Sequence, residues 1–421
     1  MPLFKLNSEK LEVLQNKHFL FFSLSRFLLT IAIQMQSILV GWQVYEYTKD
    51  ALSLGLIGLA EIIPFITIIL FAGHIADIFN RKKIILIALI FYLFTSTGFL
   101  LLSLNSFEYL NYFGIFSVYV LIGLTGIIRA FLGPSYFALL SQVVEKKHYA
   151  TAATWNSSVW QIGAVIGPAL GGIVFSYTNY VFSYGLVIFL FTISLISALL
   201  LPMIKSNAVE NKREPIFKSI SKGIRFVFKS NIVLPAISLD LFAVLFGGAV
   251  ALLPIYADQI LHTGAIGLGW LRAAPSIGAV IMALVLAFFP PLKNAGKKLV
   301  VAVIGFGITI ILFGISTNFY FSFTVLLLGG AFDNISVVIR HTILQLYTPD
   351  EMRGRVSAVN SIFIGSSNEI GQFESGAAAK LVGLVPSVII GGSITIATAL
   401  ATIKLAPTLI KLNLSATNEN K

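Results

Sequence analysis

Long apolar segments separated by short polar connections run through the whole chain. A helix needs about twenty apolar residues to cross the hydrocarbon core of a bilayer. The first half of the sequence contains six such segments, at roughly 19–43, 53–72, 84–104, 113–140, 150–176 and 181–203. The second half contains six more, at roughly 232–256, 265–289, 299–315, 320–346, 356–382 and 387–405. The pattern predicts an all-α membrane protein with twelve transmembrane helices.

The composition supports a membrane protein and narrows its chemistry. Hydrophobic residues make up 57% of the chain and charged residues only 11%, whereas soluble domains carry charge on about a quarter of positions. The absence of cysteine excludes disulfides, thiolate metal sites and cysteine nucleophiles. No phosphate-binding loop, HExxH or GxSxG pattern occurs, and the five histidines are scattered. We therefore expect a transporter rather than an enzyme, with no metal, cofactor or ATPase subunit.

The basic residues are distributed unevenly between the two sides of the predicted helices. With a cytoplasmic N-terminus, all but six of the 29 Lys and Arg residues lie in the tails and the even-numbered connections. The opposite side holds Lys49 and Lys380, and the other four basic residues lie inside spans. This positive-inside asymmetry predicts that both termini are cytoplasmic in a bacterial inner membrane. It also argues against nucleic acid as the partner of a chain with a net charge of +11.

The longest polar stretch divides the chain into two parts of six spans. We expect an N-terminal bundle at 1–204, a cytoplasmic linker at 205–231, and a C-terminal bundle with a short tail at 232–421. Within the linker, apolar and basic residues alternate with helical periodicity: Phe217, Ile220, Ile224 and Phe228 on one side, and Lys218, Lys222, Arg225 and Lys229 on another. This favours an amphipathic helix on the anionic membrane surface, although a solvated linker stays an alternative.

The two parts resemble each other in sequence. Gly58-x-x-Glu61-x-x-Pro64 matches Gly269-x-x-Arg272-x-x-Pro275 at a shift of 211 residues, and Arg129 meets Arg340 at the same shift. Asn156, Gly167 and Gly172 match Asn360, Gly371 and Gly376 at a shift of 204. Parallel repeats of this kind predict two pseudo-symmetric six-helix bundles that enclose a pathway open to one side at a time.

Several motifs give the chain a family resemblance. The connection after span two reads Gly73-His-Ile-Ala-Asp77, followed by Asn80 and the basic residues Arg81, Lys82 and Lys83. This resembles the signature loop of the major facilitator superfamily. Asn80 stands where that loop has a glycine, and asparagine tolerates the left-handed backbone that the glycine would supply. Span five resembles a motif typical of the superfamily's antiporters, in which small residues and a proline shape helix packing: Gly163, Gly167, Pro168, Gly171 and Gly172. Span one contains Gln34-Met-Gln36 and Gly41-Trp42-Gln43-Val-Tyr45, and span eleven begins with Arg353-Gly-Arg355-Val356-Ser357. These segments resemble the drug and siderophore exporter branch of the superfamily.

The signature loop suggests a conformational gate. Asp77 is expected near a helix N-terminus, and the start of span eleven offers Arg353 and Arg355 as partners across the two bundles. A carboxylate held by guanidinium groups would latch the cytoplasmic side shut. The gate hypothesis therefore includes Gly73, Asp77, Arg81, Lys82, Arg353 and Arg355; the alternative is a solvated turn.

Charged residues inside the spans are candidates for ion coupling, because a charge in the middle of a bilayer costs about 2.5–3.5 kcal/mol. We expect Arg26 to pair with Glu61, and Asp240 with Arg272, either as a gating device or as static packing. Glu369 and Glu374 in span eleven have no charged equivalent in span five. We therefore expect Glu369, which shares a helix face with Gln372, to be an unpaired carboxylate that exchanges protons or contacts the solute. The alternative is a helix-to-helix hydrogen bond by a protonated acid.

Polar residues in other spans are candidates for a solute cavity. Arg129 and Arg340 occupy equivalent positions and either face one cavity, where they would bind an anionic solute, or face neighbouring helices as relay or packing groups. The full candidate set is Gln36, Gln43, Arg129, Asn156, Asp333, Arg340 and Asn360. We therefore interpret the chain as a monomeric, proton-coupled exporter of a small organic molecule such as a siderophore. The alternatives are a multidrug efflux antiporter and an importer of the same fold.

Overall fold

The computed structural model describes residues 13–104, 114–203, 216–349 and 352–414. Because lipid offers no hydrogen-bond partners to the backbone, apolar segments of this length fold as helices. The helices of the first half are α1 (Lys17–Thr48), α2 (Ala51–Ile78), α3 (Arg81–Leu104), α4 (Phe116–Val143), α5 (Tyr149–Tyr177) and α6 (Tyr180–Leu199). Those that follow are α7 (Ile216–Lys229), α8 (Val233–Gly247), α9 (Gly264–Phe288), α10 (Ala295–Gly314), α11 (Phe319–Tyr347), α12 (Arg353–Val382), α13 (Leu384–Leu405) and α14 (Pro407–Ile410).

The predicted all-α membrane fold is confirmed, with one difference in the count of spans. Within the described residues, eleven helical segments are long and apolar enough to cross a membrane. The predicted span eleven, which is α12, is a helix of 30 residues, and at 1.5 Å per residue its length of about 45 Å exceeds a bilayer core. It falls outside the apolar count because its sequence includes Arg353, Arg355, Glu369, Glu374 and many small polar residues.

The seventh span is not a continuous α-helix as the sequence pattern suggested. Helix α8 ends at Gly247, and the chain continues through a 3-10 turn (Ala249–Leu252) and a π turn (Tyr256–Ile260). Gly247 and Gly248 weaken the helix, and Pro254 lacks a donor for it, which accounts for the break. The span therefore reaches Ile260, beyond the predicted end near residue 256.

The chain forms two compact units, whose residues differ from a simple division in the middle. The first unit consists of the described parts of Met1–Val40 and Ile63–Asn211. The second consists of Gly41–Ile62 and the described parts of Lys212–Lys421. The end of α1 and the beginning of α2 thus group with the second half of the sequence, which nothing in the repeat pattern had indicated.

The packing inside each unit repeats that inside the other, as the sequence repeat predicts. In the first unit α3 packs on α4 and α6, and in the second α10 packs on the corresponding helices α11 and α13. A glycine makes the equivalent close approach in each. A Cβ on Gly167 of α5 would lie 2.9 Å from the carbonyl oxygen of Ile31 in α1. A Cβ on Gly371 of α12 would lie 2.8 Å from that of Leu245 in α8.

The antiporter-like motif of α5 lies along α1. Gly163 faces Thr30, Gly167 faces Ile31 and Gly171 faces Met35. Pro168 lies inside α5, and the backbone oxygen of Gly172 accepts a bond from Ser176 at 2.8 Å. The small residues therefore permit the close helix contact for which they are typical in membranes.

The linker ends in the expected amphipathic helix, α7. Gly223 packs against the backbone of Arg355, and the fully buried Val227 joins the apolar core of the second unit. Ile224 and Phe228 remain exposed beside the basic residues of the same helix. The remainder of the linker, 204–215, and the side chains of 216–220 lie outside the described residues. Insertion of the helix into the membrane surface stays a prediction.

Substitution of a packing glycine should destabilise the protein, whereas substitution of an uncrowded one should not. We expect Gly371→Ala to cost about 1–3 kcal/mol, because its methyl group meets backbone that cannot move aside cheaply. Gly185→Ala is the matched control, since a Cβ there has no neighbour within 4 Å. Thermal unfolding of the purified variants in detergent is the measurement. Equal melting temperatures for the two variants would contradict the assigned packing.

Candidate functional site

The second unit contains a buried ion pair between α8 and α11. The Nη1 atom of Arg340 lies 2.7 Å from Oδ2 of Asp240, and both side chains are less than a tenth exposed. A second carboxylate, Asp333, lies about two helical turns before Arg340 on the same helix and interacts electrostatically with it. The expected pair of Asp240 with Arg272 is therefore wrong. It was inferred from opposite signs on equivalent helices, but Arg340 of α11 is the guanidinium that reaches Asp240.

Arg272 of α9 serves a different pair of carboxylates. Its charge interacts with Glu369 of α12 and Glu61 of α2. Gln372 donates a hydrogen bond of 2.7 Å from Nε2 to Oε2 of Glu369. The expectation that Glu369 is an unpaired carboxylate is thus wrong. It was inferred because the equivalent position in span five carries no charge, but the residue that interacts with Glu369 lies on α9, which that comparison does not include. Its shared face with Gln372 is confirmed by their hydrogen bond.

Glu61 and Arg272 are the repeat-equivalent residues whose opposite charges the sequence had revealed. They interact within the second unit because the first part of α2 belongs to it. The approach is close: a Cβ on Gly58 would clash with the backbone oxygen of Glu369. The predicted pair of Arg26 with Glu61 joins residues of different units and stays a prediction.

The last span carboxylate, Glu374, lies one and a half turns beyond Glu369. It is half-buried and its side chain hydrogen-bonds Ser375. The hydroxyl of Ser375 donates in turn to the backbone oxygen of Gly248 at 3.0 Å. Glu374 therefore lies close to the point where α8 loses its regular helical form.

Two arginines of the first unit lie over aromatic rings. The guanidinium carbon of Arg26 is 4.9 Å from the ring centre of Tyr136, and that of Arg129 is 4.8 Å from the ring centre of Phe65. Desolvated cation–π contacts of this kind are worth up to about 2 kcal/mol. Arg129 therefore contacts an aromatic ring, and its repeat-equivalent Arg340 contacts a carboxylate.

The amide side chains divide into those already bonded and those with an unmatched oxygen. Gln36 is buried and accepts a 2.5 Å hydrogen bond from Ser96, so it joins α1 to α3. Gln43 is fully buried and hydrogen-bonds Tyr47. The repeat-equivalent Asn156 and Asn360, by contrast, each have a buried Oδ1 atom without a hydrogen-bond partner. A buried unmatched acceptor costs about 1–3 kcal/mol, which makes both asparagines candidates for contact with a solute.

The basic residues of the signature loop have structural partners of their own. Lys82 is buried, and its Nζ atom donates to the backbone oxygens of Leu199 and Leu201 at 2.7 and 2.5 Å. It therefore caps the C-terminal end of α6, where a cation is favoured. Arg81 begins α3 and is half-buried. The surroundings of Gly73 and of the Asp77 side chain lie outside what the structure describes, so the latch stays a prediction.

Asn80 does not adopt the left-handed backbone that its place in the motif suggested. Among the described residues other than glycine, a positive φ is found only at Lys49, His262 and Asn294. Asn80 instead caps α3: its Oδ1 accepts from the backbone N–H of Lys83 at 3.3 Å. At the start of α12, Arg353 donates to the backbone oxygen of Gln345 at 3.1 Å, and Arg355 lies 3.4 Å from the sulfur of Met352.

A set of contacts that the sequence did not predict holds the connection between α1 and α2. Lys380 of α12 lies 3.1 Å from Asp50, and Lys49 lies 3.5 Å from Asp258 at the end of the seventh span. The buried Tyr45 hydroxyl donates to the same Asp258 at 2.6 Å. We call these five residues the hairpin clasp. Its signal in the sequence was the pair Lys49 and Lys380, the two basic residues on the side opposite to the predicted cytoplasmic one.

The hairpin clasp contains two partly exposed ion pairs and one residue with a left-handed backbone. Both ion pairs are partly exposed, so each contributes about 0–1 kcal/mol. Lys49 has a left-handed backbone (φ 48°), and its Nζ atom lies 4.3 Å from the ring centre of Tyr45. Burial raises the pKa of Asp50, but hydrogen bonds from Lys380 and Ser53 outweigh it and hold this pKa below its usual range. Asp50 therefore stays ionised at neutral pH, and its pair with Lys380 is lost only in strong acid.

The duplicated helix packing and the charges inside the spans define a membrane transporter of the major facilitator type. Residues 9–419 match the family of transmembrane secretion effectors, and the chain belongs to this family. Its members are transporters, so the chain is a multi-pass membrane transporter and not an enzyme. Within the described residues no cluster of three or more His, Asp or Glu side chains is placed to hold a metal ion.

Curated relatives include enterobactin exporters of enteric bacteria. The chain is 27% identical over 341 residues to the enterobactin exporter EntS of Escherichia coli O1:K1 / APEC, which covers 80% of this chain and 79% of the relative. The same figures hold for the EntS protein of Shigella boydii serotype 18.

Solved structures of transporters share the fold. A mutant of the peptide transporter POT superimposes with a TM-score of 0.76 at 11% identity, over 94% of this chain and 96% of that one. A bacterial homologue of the human lysosomal transporter Spinster gives a TM-score of 0.66 at 14% identity, over 96% and 97%. At these identities the likeness concerns the fold alone.

The hairpin clasp can be tested by cross-linking, because the chain has no cysteine of its own. We expect Asp50→Cys with Lys380→Cys to be joined in membranes by a short bifunctional thiol reagent, since the two ion-pairing atoms lie 3.1 Å apart. Asp50→Cys with Lys411→Cys is the control pair, and peptide mapping after proteolysis identifies the link. A yield for the first pair no higher than that of the control would refute the clasp.

Proposed function

We propose that this transporter is a proton-coupled exporter of a small anionic organic molecule such as a siderophore, acting as a monomer in a bacterial inner membrane. The observation that carries export and substrate class is the similarity to enterobactin exporters over four fifths of the chain. By the positive-inside rule, the distribution of Lys and Arg supports cytoplasmic termini.

The charge distribution inside the spans supports an anionic solute. Arg26 and Arg129, both of the first unit, lie over aromatic rings. A guanidinium stacked on a ring offers both positive charge and a flat surface, which suits an anionic aromatic group such as a catecholate. The unmatched oxygen of Asn156, in the same unit, would accept a hydrogen bond from a hydroxyl group of the solute.

Alternating access requires that the pathway close first on one side of the membrane and then on the other. The clasp involves the connection between α1 and α2, on the side that we assign as non-cytoplasmic, and its weak pairs are suited to repeated opening. On the cytoplasmic side, Asp77 with Arg353 and Arg355 would form the corresponding latch. In this proposal solute and proton bind alternately while one end is open and the other is closed.

Proteoliposomes with an imposed pH gradient test both coupling and direction. With enterobactin as the probe, an antiporter accumulates solute when the lumen is acidic, because protons leaving the lumen drive solute in. Accumulation only with an alkaline lumen would instead indicate a proton symporter, the importer alternative. Accumulation of an amphipathic cationic dye but not of enterobactin would indicate the multidrug alternative. Empty liposomes are the control, and no gradient-driven accumulation of either probe would overturn proton coupling.

A further inference from the structure

A small cavity lies beside the buried ion pair of the second unit. Its lining includes Asp240 from α8, Phe306 from α10, and Asp333 and Ser336 from α11. The cavity measures about 10 Å³, which is close to the space that one water molecule needs. Its polar groups converge from α8 and α11, while α10 contributes only apolar side chains.

The charges around this cavity do not balance when all groups are ionised. Among the described residues, the charges that act on Asp240 are those of Arg340 and Asp333. The charge of Arg340 also acts on His341. The neighbouring helices α12 and α13 bring Gly371 and Thr395, both uncharged, to this stretch of α8. Two carboxylates thus share one guanidinium in a region of low dielectric constant, and a single bound proton makes the group neutral.

Ser336 supplies a separate observation that points to a ligand. Its side chain is only 2% exposed, it lines the cavity, and its hydroxyl has no hydrogen-bond partner. An unmatched buried hydroxyl costs about 1–3 kcal/mol. A hydroxyl beside two carboxylates in a space of this size is placed to hydrogen-bond a water molecule or a protonated carboxyl group.

We propose that Asp240 and Asp333 together bind one exchangeable proton beside Arg340, with Ser336 as a hydrogen-bonding neighbour, and form the proton-binding site of this transporter. With the proton on Asp333, Asp240 keeps its ion pair with Arg340 and the group is neutral. When the proton leaves toward water, the group carries one negative charge, and a hydrated conformation is favoured. This inference deepens the proposed function, because it assigns the coupling ion to the α8–α11 site.

The other charged cluster of the second unit is less suited to this role. It also has two carboxylates and one guanidinium, but Gln372 already donates to Glu369. Glu61 belongs to the short part of α2 that joins the second unit. That cluster therefore links segments that are far apart in the sequence, and we assign it to conformational coupling rather than to proton binding.

Infrared spectroscopy of the purified protein in lipid membranes tests the site without a solute. We expect a protonated-carboxyl band that disappears as the pH is raised and that is absent from Asp333→Asn. Asp333→Glu should retain a titrating band at a shifted frequency. Glu145→Gln, which changes an exposed carboxyl group outside the cavity, is the matched control and should keep the wild-type band. Asp240→Asn would remove the counter-ion of Arg340 and is expected to destabilise the fold. The substitutions are therefore made at Asp333.

The outcomes separate this inference from the proposed function. A titrating band that persists unchanged in a folded Asp333→Asn protein would overturn the proton-binding site, as would a wild-type protein with no such band. A band lost in Asp333→Asn, together with wild-type proteoliposomes that ignore the pH gradient, would keep the proton-binding site but overturn proton-coupled export. Thermal unfolding of each variant confirms that the folded protein is being compared.

Discussion

Burying charge inside a membrane protein is the constraint on which the rest of this structure depends. An isolated ion in the low-dielectric interior is unstable, so each charged group in a span needs an opposite charge, a polarisable ring or a proton. The described residues show the first two solutions. Asp240 pairs with Arg340, Arg272 interacts with two glutamates, and Arg26 and Arg129 lie over aromatic rings. Each of the two carboxylate clusters contains two acidic side chains and one guanidinium.

The duplicated fold gives these charges their positions. Equivalent glycines bring α5 onto α1 and α12 onto α8, so each unit builds the same framework from different side chains. The two copies differ in charge at equivalent positions. Glu61 and Arg272 occupy the same place in the repeat, and the grouping of Gly41–Ile62 with the second unit lets them interact.

The helices were predictable from the sequence because their cause is local. Runs of apolar residues gave the spans, and alternation of apolar and basic residues gave α7. The predicted ends of the helices were less accurate. Asn80 caps α3, which begins at Arg81 rather than near residue 84. Gly247 and Gly248 interrupt the seventh span. Helix α12 was also predicted as a helix, and it is missing from the count of apolar spans because it contains charged and small polar residues.

The partners of the charged residues were not predictable, because they depend on how helices pack. Opposite signs on equivalent helices suggested Asp240 with Arg272, whereas rotation of each helix about its axis selects Arg340. The hairpin clasp required Asp50 to meet a lysine 330 positions away. Its trace in the sequence was the placement of Lys49 and Lys380 on the side that otherwise lacks basic residues.

The central claim is that opposite charges on repeat-equivalent helices act on each other, and a charge exchange tests it most directly. Transport by Glu61→Arg and Arg272→Glu would be measured singly and together. Each single reversal places like charges next to each other inside the membrane, so the account predicts that transport is lost. The double exchange recreates the opposite pair with its sign inverted, and recovery of a substantial part of wild-type transport is the predicted result. A double variant no more active than either single one, although folded and inserted, would contradict the account.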